Sequence, residues 1–280
     1  MIKIKFCFPE IKPSNREELI DSILKEIKEN KFIGYAGFRK KKYLRNYLNY
    51  RLQNFKSKNY QPNTKKKQKK IEKLIRKTIN LCERKLKLVK IYIFIFPWFP
   101  QKRDKSFKGI TGFAPYKNVI NLYLYSKNFD LKSLQQVIVH EYNHLAFYFY
   151  QKFFEKKKVK WRIIDSLVME GLAQNFEEEI LKTRPIYSKA LSQKEAFNLL
   201  KKIKDKLYEI DYKFANALFF GNKRFKKWSG YTVGYFIVKN FRNKNKNLKW
   251  RDLILIPSEK IYSLMINLKN YNETLYSSRK

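Results

Sequence analysis

The two histidines of the chain, His140 and His144, lie four residues apart, and Glu141 directly follows the first of them. On an α-helix, residues with this spacing are separated by about 40°, so both imidazoles project from one side and can bind a single metal ion. Glu141 falls on the same side, which would place its carboxylate beside an open coordination position. The pattern is typical of metal-assisted hydrolysis, in which the metal activates water and a carboxylate accepts a proton.

An ordinary amphipathic helix is the alternative explanation, because His-Glu-x-x-His segments also arise by chance. An apolar stripe on the opposite side of the same helix favours the metal site. It consists of Leu131, Leu134, Ile138, Tyr142, Leu145 and Phe149. Such a stripe would fix the helix to a core, and histidines on the other side then need a separate reason to be there.

A zinc site needs at least three protein ligands, and the chain has no third histidine. Its two cysteines, Cys7 and Cys82, lie far from the motif and form no paired motif, which leaves a carboxylate as the third ligand. We expect it to be Glu170, an acid in an otherwise apolar helical run whose small neighbours would allow close helix packing. Two histidines and one glutamate favour zinc, so the sequence predicts one Zn²⁺ bound by His140, His144 and Glu170.

The elements that must position these residues follow from hydrophobic periodicity and turn residues. Strands are expected at Met1–Phe8, Lys90–Phe96 and Asn118–Tyr125, with a loop at Gln101–Lys117. Helices are expected from a capping box at Ser14–Glu17 to about Glu29, at about Arg39–Lys56 and Gln68–Leu88, and from Leu131 almost to the end. This predicts an α+β fold with a small mixed or antiparallel sheet and a mostly helical remainder. Residues 1–88 would form an N-terminal strand and helical region and residues 89–280 the domain with the metal, unless the two are continuous.

The net charge of +39 has two explanations. A basic surface can attract nucleic acid, an anionic membrane or an acidic substrate. Mutational bias toward AT-rich codons is the explanation we favour, because Lys, Asn, Ile, Tyr and Phe dominate together and the basic residues are spread along the whole chain. The longest apolar run, Ile91–Trp98, is too short to span a bilayer, and no signal peptide is apparent. We therefore expect a cytoplasmic protein without a transmembrane segment.

The motifs resemble those of gluzincins, in which HExxH is followed by a glutamate ligand. More narrowly, residues 90–243 are similar to a bacterial family of predicted zinc-dependent proteases, catalogued mainly as a domain of unknown function. The similarity rests on HEYNH and on three further segments, Gly109–Tyr125, EGLA at Glu170–Ala173 and Trp228–Tyr235, which contains GYxxGY. It implies a zincin-like fold with the Asn118–Tyr125 strand at the edge of the cleft, where an extended peptide could add. Plain core sheet is the alternative role of that strand.

One position departs from the gluzincin pattern. Many gluzincins carry an aspartate four residues after the ligand glutamate, where it orients a histidine, and this chain has Gln174. Another residue or a backbone carbonyl would then have to orient the histidine.

The resemblance also implies an activity, the hydrolysis of peptides or unfolded polypeptide. Glu141 would accept a proton from the attacking water and deliver it to the leaving nitrogen. Tyr231 is the candidate oxyanion donor, with Tyr235 behind it, because similar enzymes use a tyrosine or histidine from a later helix. A close helix-packing seam around Gly230 and Gly234 is the alternative explanation of that segment. Another zinc amide hydrolase, or a nucleic-acid- or partner-binding protein on the same scaffold, are the rival functions.

Overall fold

The computed structural model of the chain describes residues 1–61, 64–100, 108–125, 127–155 and 161–263. The chain falls into two compact units, Met1–Phe149 and Tyr150–Lys280. One small mixed sheet and many helices make up the described residues, which confirms the expected α+β class. The division after residue 88 stays a prediction. No helix in the described ranges is both long enough and apolar enough to cross a membrane.

The sheet of the first unit has the strand order β1-β2-β4-β3. The strands are β1 Ile2–Phe6, β2 Ile91–Trp98, β3 Ile110–Tyr116 and β4 Val119–Tyr125. Strand β2 pairs in parallel with β1 and with β4, whereas β3 and β4 are antiparallel. The β-branched and aromatic residues of β2 are all buried, as expected for a strand covered on both faces. The strands expected for β1, β2 and β4 are confirmed, although β2 continues through Pro97, beyond the expected end.

Strand β3 contradicts two expectations. The segment Gln101–Lys117 is expected to be a loop, yet Ile110–Tyr116 pairs with β4, and residues 101–107 lie outside the described residues. A strand with Pro115 is possible here because β3 is an edge strand, where a missing N–H disturbs the ladder least. An extended peptide therefore cannot add to Asn118–Tyr125 as expected, since β4 is an interior strand with β2 and β3 on its two edges. The alternative role, plain core sheet, is the one observed.

The helices of the first unit are α1 Arg16–Glu26, α2 Lys41–Arg51, α3 Lys65–Glu83 and α4 Leu131–Tyr150, whose last residue begins the second unit. Each expected helix is present with shifted ends. The N-cap of α1 is Asn15 and not Ser14 as expected, because the Asn15 side chain accepts from the backbone N–H of Glu18 at 3.0 Å. The Glu18 carboxylate in turn accepts from the backbone N–H of Ser14 at 2.7 Å. The first bond satisfies a donor that the first helical turn leaves free, and the second ties the residue before the N-cap to the helix.

The two faces of the sheet are covered by different helices. Apolar residues of α1 and α2 pack with alternate residues of β2 and β4 in one buried cluster, including Phe94, Phe96, Val119 and Tyr123. Helix α4 lies against the other face, where Gly112 of β3 meets its side chains.

Both cysteines are buried and free. Burial raises the pKa of the Cys7 thiol to about 12 and also raises that of Cys82, so both are protonated at neutral pH and neither resembles a metal ligand.

The second unit is helical. Its helices are α5 Ile163–Leu181, α6 Gln193–Lys202, α7 Tyr212–Phe220, α8 Ser229–Lys244 and α9 Trp250–Leu255. Helices α5 and α8 cross in contact at two glycines. A Cβ atom at Gly171 would clash with the carbonyl oxygen of Gly234, and one at Gly234 would clash with the carbonyl oxygen of Leu167. The close approach therefore requires glycine at both positions.

Candidate metal centre

Helix α4 presents the two histidines from its middle. It begins after Asp130, whose carboxylate accepts from the backbone N–H and the hydroxyl of Ser133 at 3.0 and 2.8 Å. His140 and His144 are each only 6% exposed, and their rings are nearly perpendicular at 87°. Their Nε2 atoms face each other at 3.2 Å. Tetrahedral zinc with Zn–N distances of about 2.0–2.1 Å separates two nitrogen ligands by about 3.3 Å, so this pair already has the required spacing.

Glu170 completes the expected ligand set. It lies on α5 and is half-buried. One ligand atom from each of His140, His144 and Glu170 lies within 4.8 Å of the other two. Two imidazoles and a carboxylate are the donors of many catalytic zinc sites, so the residues present fit this ion. In the described part of the chain this is the group of metal-binding side chains that the structure brings together.

Glu141 is held against the edge strand of the sheet. Glu141 is only 8% exposed, and its side chain touches the backbone of β3 at Gly112. A Cβ atom at Gly112 would lie 2.6 Å from Cγ of Glu141 and 3.0 Å from its Oε1. The carboxylate thus lies directly beside the edge strand of the sheet. The sequence indicates this glycine only as part of a motif, because its contact with Glu141 depends on the packing of β3 against α4.

Gln174 has a different role from the aspartate of many gluzincins. It is fully buried, and its amide nitrogen donates to the carbonyl oxygens of Tyr231 at 2.7 Å and of Glu170 at 3.3 Å. Asn175 makes a similar link, from its amide nitrogen to the carbonyl oxygen of Tyr235 at 3.0 Å. These two amides hold α8 on α5 in the turn that follows Glu170. The substitution at position 174 therefore serves the packing of the two helices.

The two tyrosines of α8 have different surroundings. Tyr231 is half-buried, and its ring packs at 5.0 Å from Tyr187 and 4.9 Å from Phe219, measured between centroids. The hydroxyl of Tyr235 donates to Glu178 at 2.9 Å. Burial, and then this carboxylate, raises the pKa of Tyr235. Tyr235 is thus engaged by an acid further along α5, and its place behind Tyr231 as a candidate oxyanion donor stays a prediction.

The N-terminal helix α2 reaches the surroundings of Glu141, which no sequence pattern indicated. The ring of Tyr47 stacks on Phe113, the residue after Gly112, with centroids 5.5 Å apart. Burial raises the pKa of Tyr47, the neighbouring Arg51 lowers it, and the negative charge of Glu141 raises it further. The electrostatic influence of Glu141 therefore extends to α2.

Comparison with known proteins agrees with the geometry. A family model described as predicted Zn-dependent protease (DUF2268) matches residues 71–263. The span that resembles such proteins in sequence, residues 90–243, lies within this match. So do His140, Glu141, His144, Glu170 and Tyr231, whereas α2 precedes it. No curated protein and no solved structure matches the chain.

Proposed function

The chain belongs to this family of predicted Zn-dependent proteases, and from that premise we propose that it is a zinc metallopeptidase of gluzincin type. The observation that carries the proposal is the convergence of His140, His144 and Glu170, with ligand atoms within 4.8 Å of one another. The 3.2 Å separation of the two Nε2 atoms supports zinc in particular. The proposed substrate is a peptide or an unfolded polypeptide.

The roles of the residues follow from their positions. His140, His144 and Glu170 would hold one zinc ion, which supplies Lewis acidity that lowers the pKa of water and polarises a carbonyl. Glu141 would act as the general base, accepting a proton from the attacking water and then giving it to the leaving amide nitrogen. The contact with Gly112 limits the positions that the Glu141 side chain can take and so orients its carboxylate.

Tyr231 would donate a hydrogen bond to the oxyanion that develops on the substrate carbonyl. Its ring is fixed by Tyr187 and Phe219, and its backbone by the amide of Gln174. A donor that is already oriented before the reaction stabilises developing charge without further reorganisation.

Strand β3 is the proposed docking edge for the substrate. It ends the sheet, so its outer edge has no neighbouring strand among the described residues. An extended peptide can add to such an edge through main-chain hydrogen bonds. Because β3 passes directly beside Glu141 at Gly112, a peptide added there would bring its backbone next to the base.

Metal analysis combined with peptide cleavage tests the proposal. Wild-type protein should contain about one zinc per chain and cleave members of a mixed peptide library. Glu141→Gln should keep the zinc and lose turnover by roughly 10²–10⁴-fold, the usual contribution of a general base. Glu170→Gln serves as the comparison, because it should lose zinc as well. Stoichiometric zinc without cleavage by the wild type would contradict the peptidase assignment, and absence of zinc would contradict the metal site.

A further inference from the structure

Arg51, the last residue of α2, is firmly held but has no acidic partner among the described residues. Its Nε donates to the hydroxyl of Tyr47 at 3.0 Å. Its guanidinium carbon lies 4.8 Å from the ring centroid of Tyr123 and 5.3 Å from that of Tyr47. These contacts are made by neutral groups, and they fix the plane of the guanidinium without neutralising its charge.

A second arginine on the same helix shows the ordinary arrangement. Arg45 is paired with two acids, Glu17 at 3.2 Å and Asp21. Arg51 is half-buried, so solvent screens its charge less than that of an exposed side chain. A cation in such a place usually has an anionic partner, because burial of an unpaired charge is unfavourable.

The free part of Arg51 is suited to a carboxylate. Its two terminal nitrogens make no hydrogen bond to the described residues, and neither is sealed from solvent. Two parallel N–H groups held in one plane match the two oxygens of a carboxylate. The anchoring through Nε and the two rings reduces the conformational entropy that binding would otherwise cost.

The position of this arginine relates it to the proposed substrate edge. Tyr47 stacks on Phe113 of β3, and Tyr123 of β4 is paired with Thr111 of β3. Successive residues of β3 point to opposite faces of the sheet. Gly112 faces Glu141, whereas its neighbours Thr111 and Phe113 face the side with Tyr123 and Tyr47. Arg51 and Glu141 therefore lie on opposite faces of the same short segment of the edge strand. The side chains of a peptide added to this edge would also alternate between the two faces, one of which carries Arg51.

We propose that Arg51, oriented by Tyr47 and Tyr123, binds a carboxylate of the peptide substrate beside the β3 edge. The inference rests on the proposed peptidase function and gives its substrate class, peptides with a carboxylate close to the cleaved bond. That carboxylate can be the C-terminus of the peptide or an acidic side chain. The two sources share the chemistry that Arg51 recognises, and matched peptides separate them.

The experiment measures binding to the zinc-loaded Glu141→Gln protein, in which turnover does not interfere. The probes are pentapeptides of neutral mixed sequence in three forms: with a free C-terminal carboxylate, with a C-terminal amide, and with an amide plus one internal glutamate. Tighter binding of the first form identifies the C-terminus, and tighter binding of the third identifies a side chain. Arg51→Gln in this background should weaken the preferred form by about tenfold or more and leave the neutral amide unchanged.

Three further variants complete the design. Arg45→Gln removes the same charge from the same helix and should leave the preference intact, which controls for the net charge. Arg51→Lys keeps the charge but not the two parallel donors, and should restore only part of the affinity. Tyr47→Phe removes the hydroxyl that holds Nε and should weaken the same peptides to a smaller extent, and it replaces Arg51→Gln if that protein does not fold.

The outcomes separate this inference from the proposed function. Equal binding of all three peptide forms, or a preference that survives in Arg51→Gln, would overturn the role of Arg51. Neither result depends on turnover. Failure of the wild type to cleave any peptide while zinc is bound would instead overturn the peptidase function, whatever the binding assay shows.

Discussion

The backbone of Gly112 on the edge strand β3 lies directly against the side chain of Glu141 on helix α4. There is no space for even one methyl group between them, since a Cβ atom at position 112 would lie 2.6 Å from Cγ of Glu141. The proposed base and the proposed substrate edge are thus in contact. The position of the carboxylate relative to a peptide on β3 is therefore set by the sheet as well as by α4.

Replacement of Gly112 by alanine should displace Glu141 and lower kcat by about 10–100-fold, because small errors in the position of a catalytic group have large effects. Zinc content should not change, since the atoms nearest to the added carbon belong to Glu141 and Val137 and not to a proposed ligand. In the Glu141→Gln background the same replacement should cause no further loss, which a double-mutant cycle would show. Full additivity of the two losses, or an unchanged kcat, would contradict the positioning role.

The glycine crossing between α5 and α8 should be sensitive to any side chain. Gly171→Ala or Gly234→Ala should destabilise the protein by about 1–3 kcal/mol or more, because the added carbon meets backbone that cannot move aside. Gly230→Ala is the matched control on α8, since the three atoms nearest to its Cβ all belong to the ring of Phe219, a side chain and not backbone. Urea denaturation compares the three variants. Equal losses of stability at all three positions would show that the effect does not come from the crossing of α5 and α8.

Asp130 should make the stability of α4 depend on pH. Burial alone would raise the pKa of Asp130, but the hydroxyl and backbone N–H of Ser133 outweigh it, so the pKa lies below its ordinary value. A lowered pKa in the folded state means that the contribution is complete above the ordinary pKa of about 3.9 and is lost as the pH falls through the lowered value. Asp130→Ala should cost about 1 kcal/mol near pH 7.

The matched control for this prediction is Asp130→Asn, which keeps a capping oxygen without a titratable group. The difference in unfolding free energy between wild type and Asp130→Asn should be constant from pH 7 to about 5 and change below about pH 4. Urea titrations at several pH values would measure it. If this difference in unfolding free energy stayed constant down to pH 2, titration of Asp130 would not contribute to the pH dependence of stability.

Tyr231 and Tyr235 should differ in their effect on catalysis. Tyr231→Phe keeps the packing against Tyr187 and Phe219 and removes only the hydroxyl, so kcat should fall by roughly 10²–10³-fold while thermal stability stays the same. Tyr235→Phe should leave kcat unchanged, because its hydroxyl is bound to Glu178. Equal kcat values for the two variants would remove Tyr231 from the mechanism.

The sequence predicts those residues of the candidate site that lie close together in the chain. His140, Glu141 and His144 are placed by the period of one helix, so their spacing already defines their geometry. Glu170 was foreseen because a single acid in an apolar helix is conspicuous, and the structure brings it to the two histidines. Gln174 could not be interpreted in this way, because its partner is a backbone carbonyl 57 residues away in the chain.

The parts of the fold that were missed depend on neighbours distant in sequence. Strand β3 contains Gly112 and Pro115, which disfavour a strand, and only its place at the edge of the sheet makes pairing possible. Whether β3 or β4 ends the sheet depends on strand order, which local patterns do not contain. The approach of Tyr47 and Arg51 to the surroundings of β3 follows from the same tertiary arrangement.

The buried cysteines have a practical consequence for observing the protein in solution. Cys7 and Cys82 are the two thiols of the chain, both are inaccessible, and burial raises the pKa of each. Alkylating reagents react with exposed thiolates, so the folded protein should remain unmodified by maleimides. A cysteine introduced on the surface would then be the single reactive point for a fluorophore or spin label. Distances between such a label and a bound peptide could be measured without removing either native cysteine.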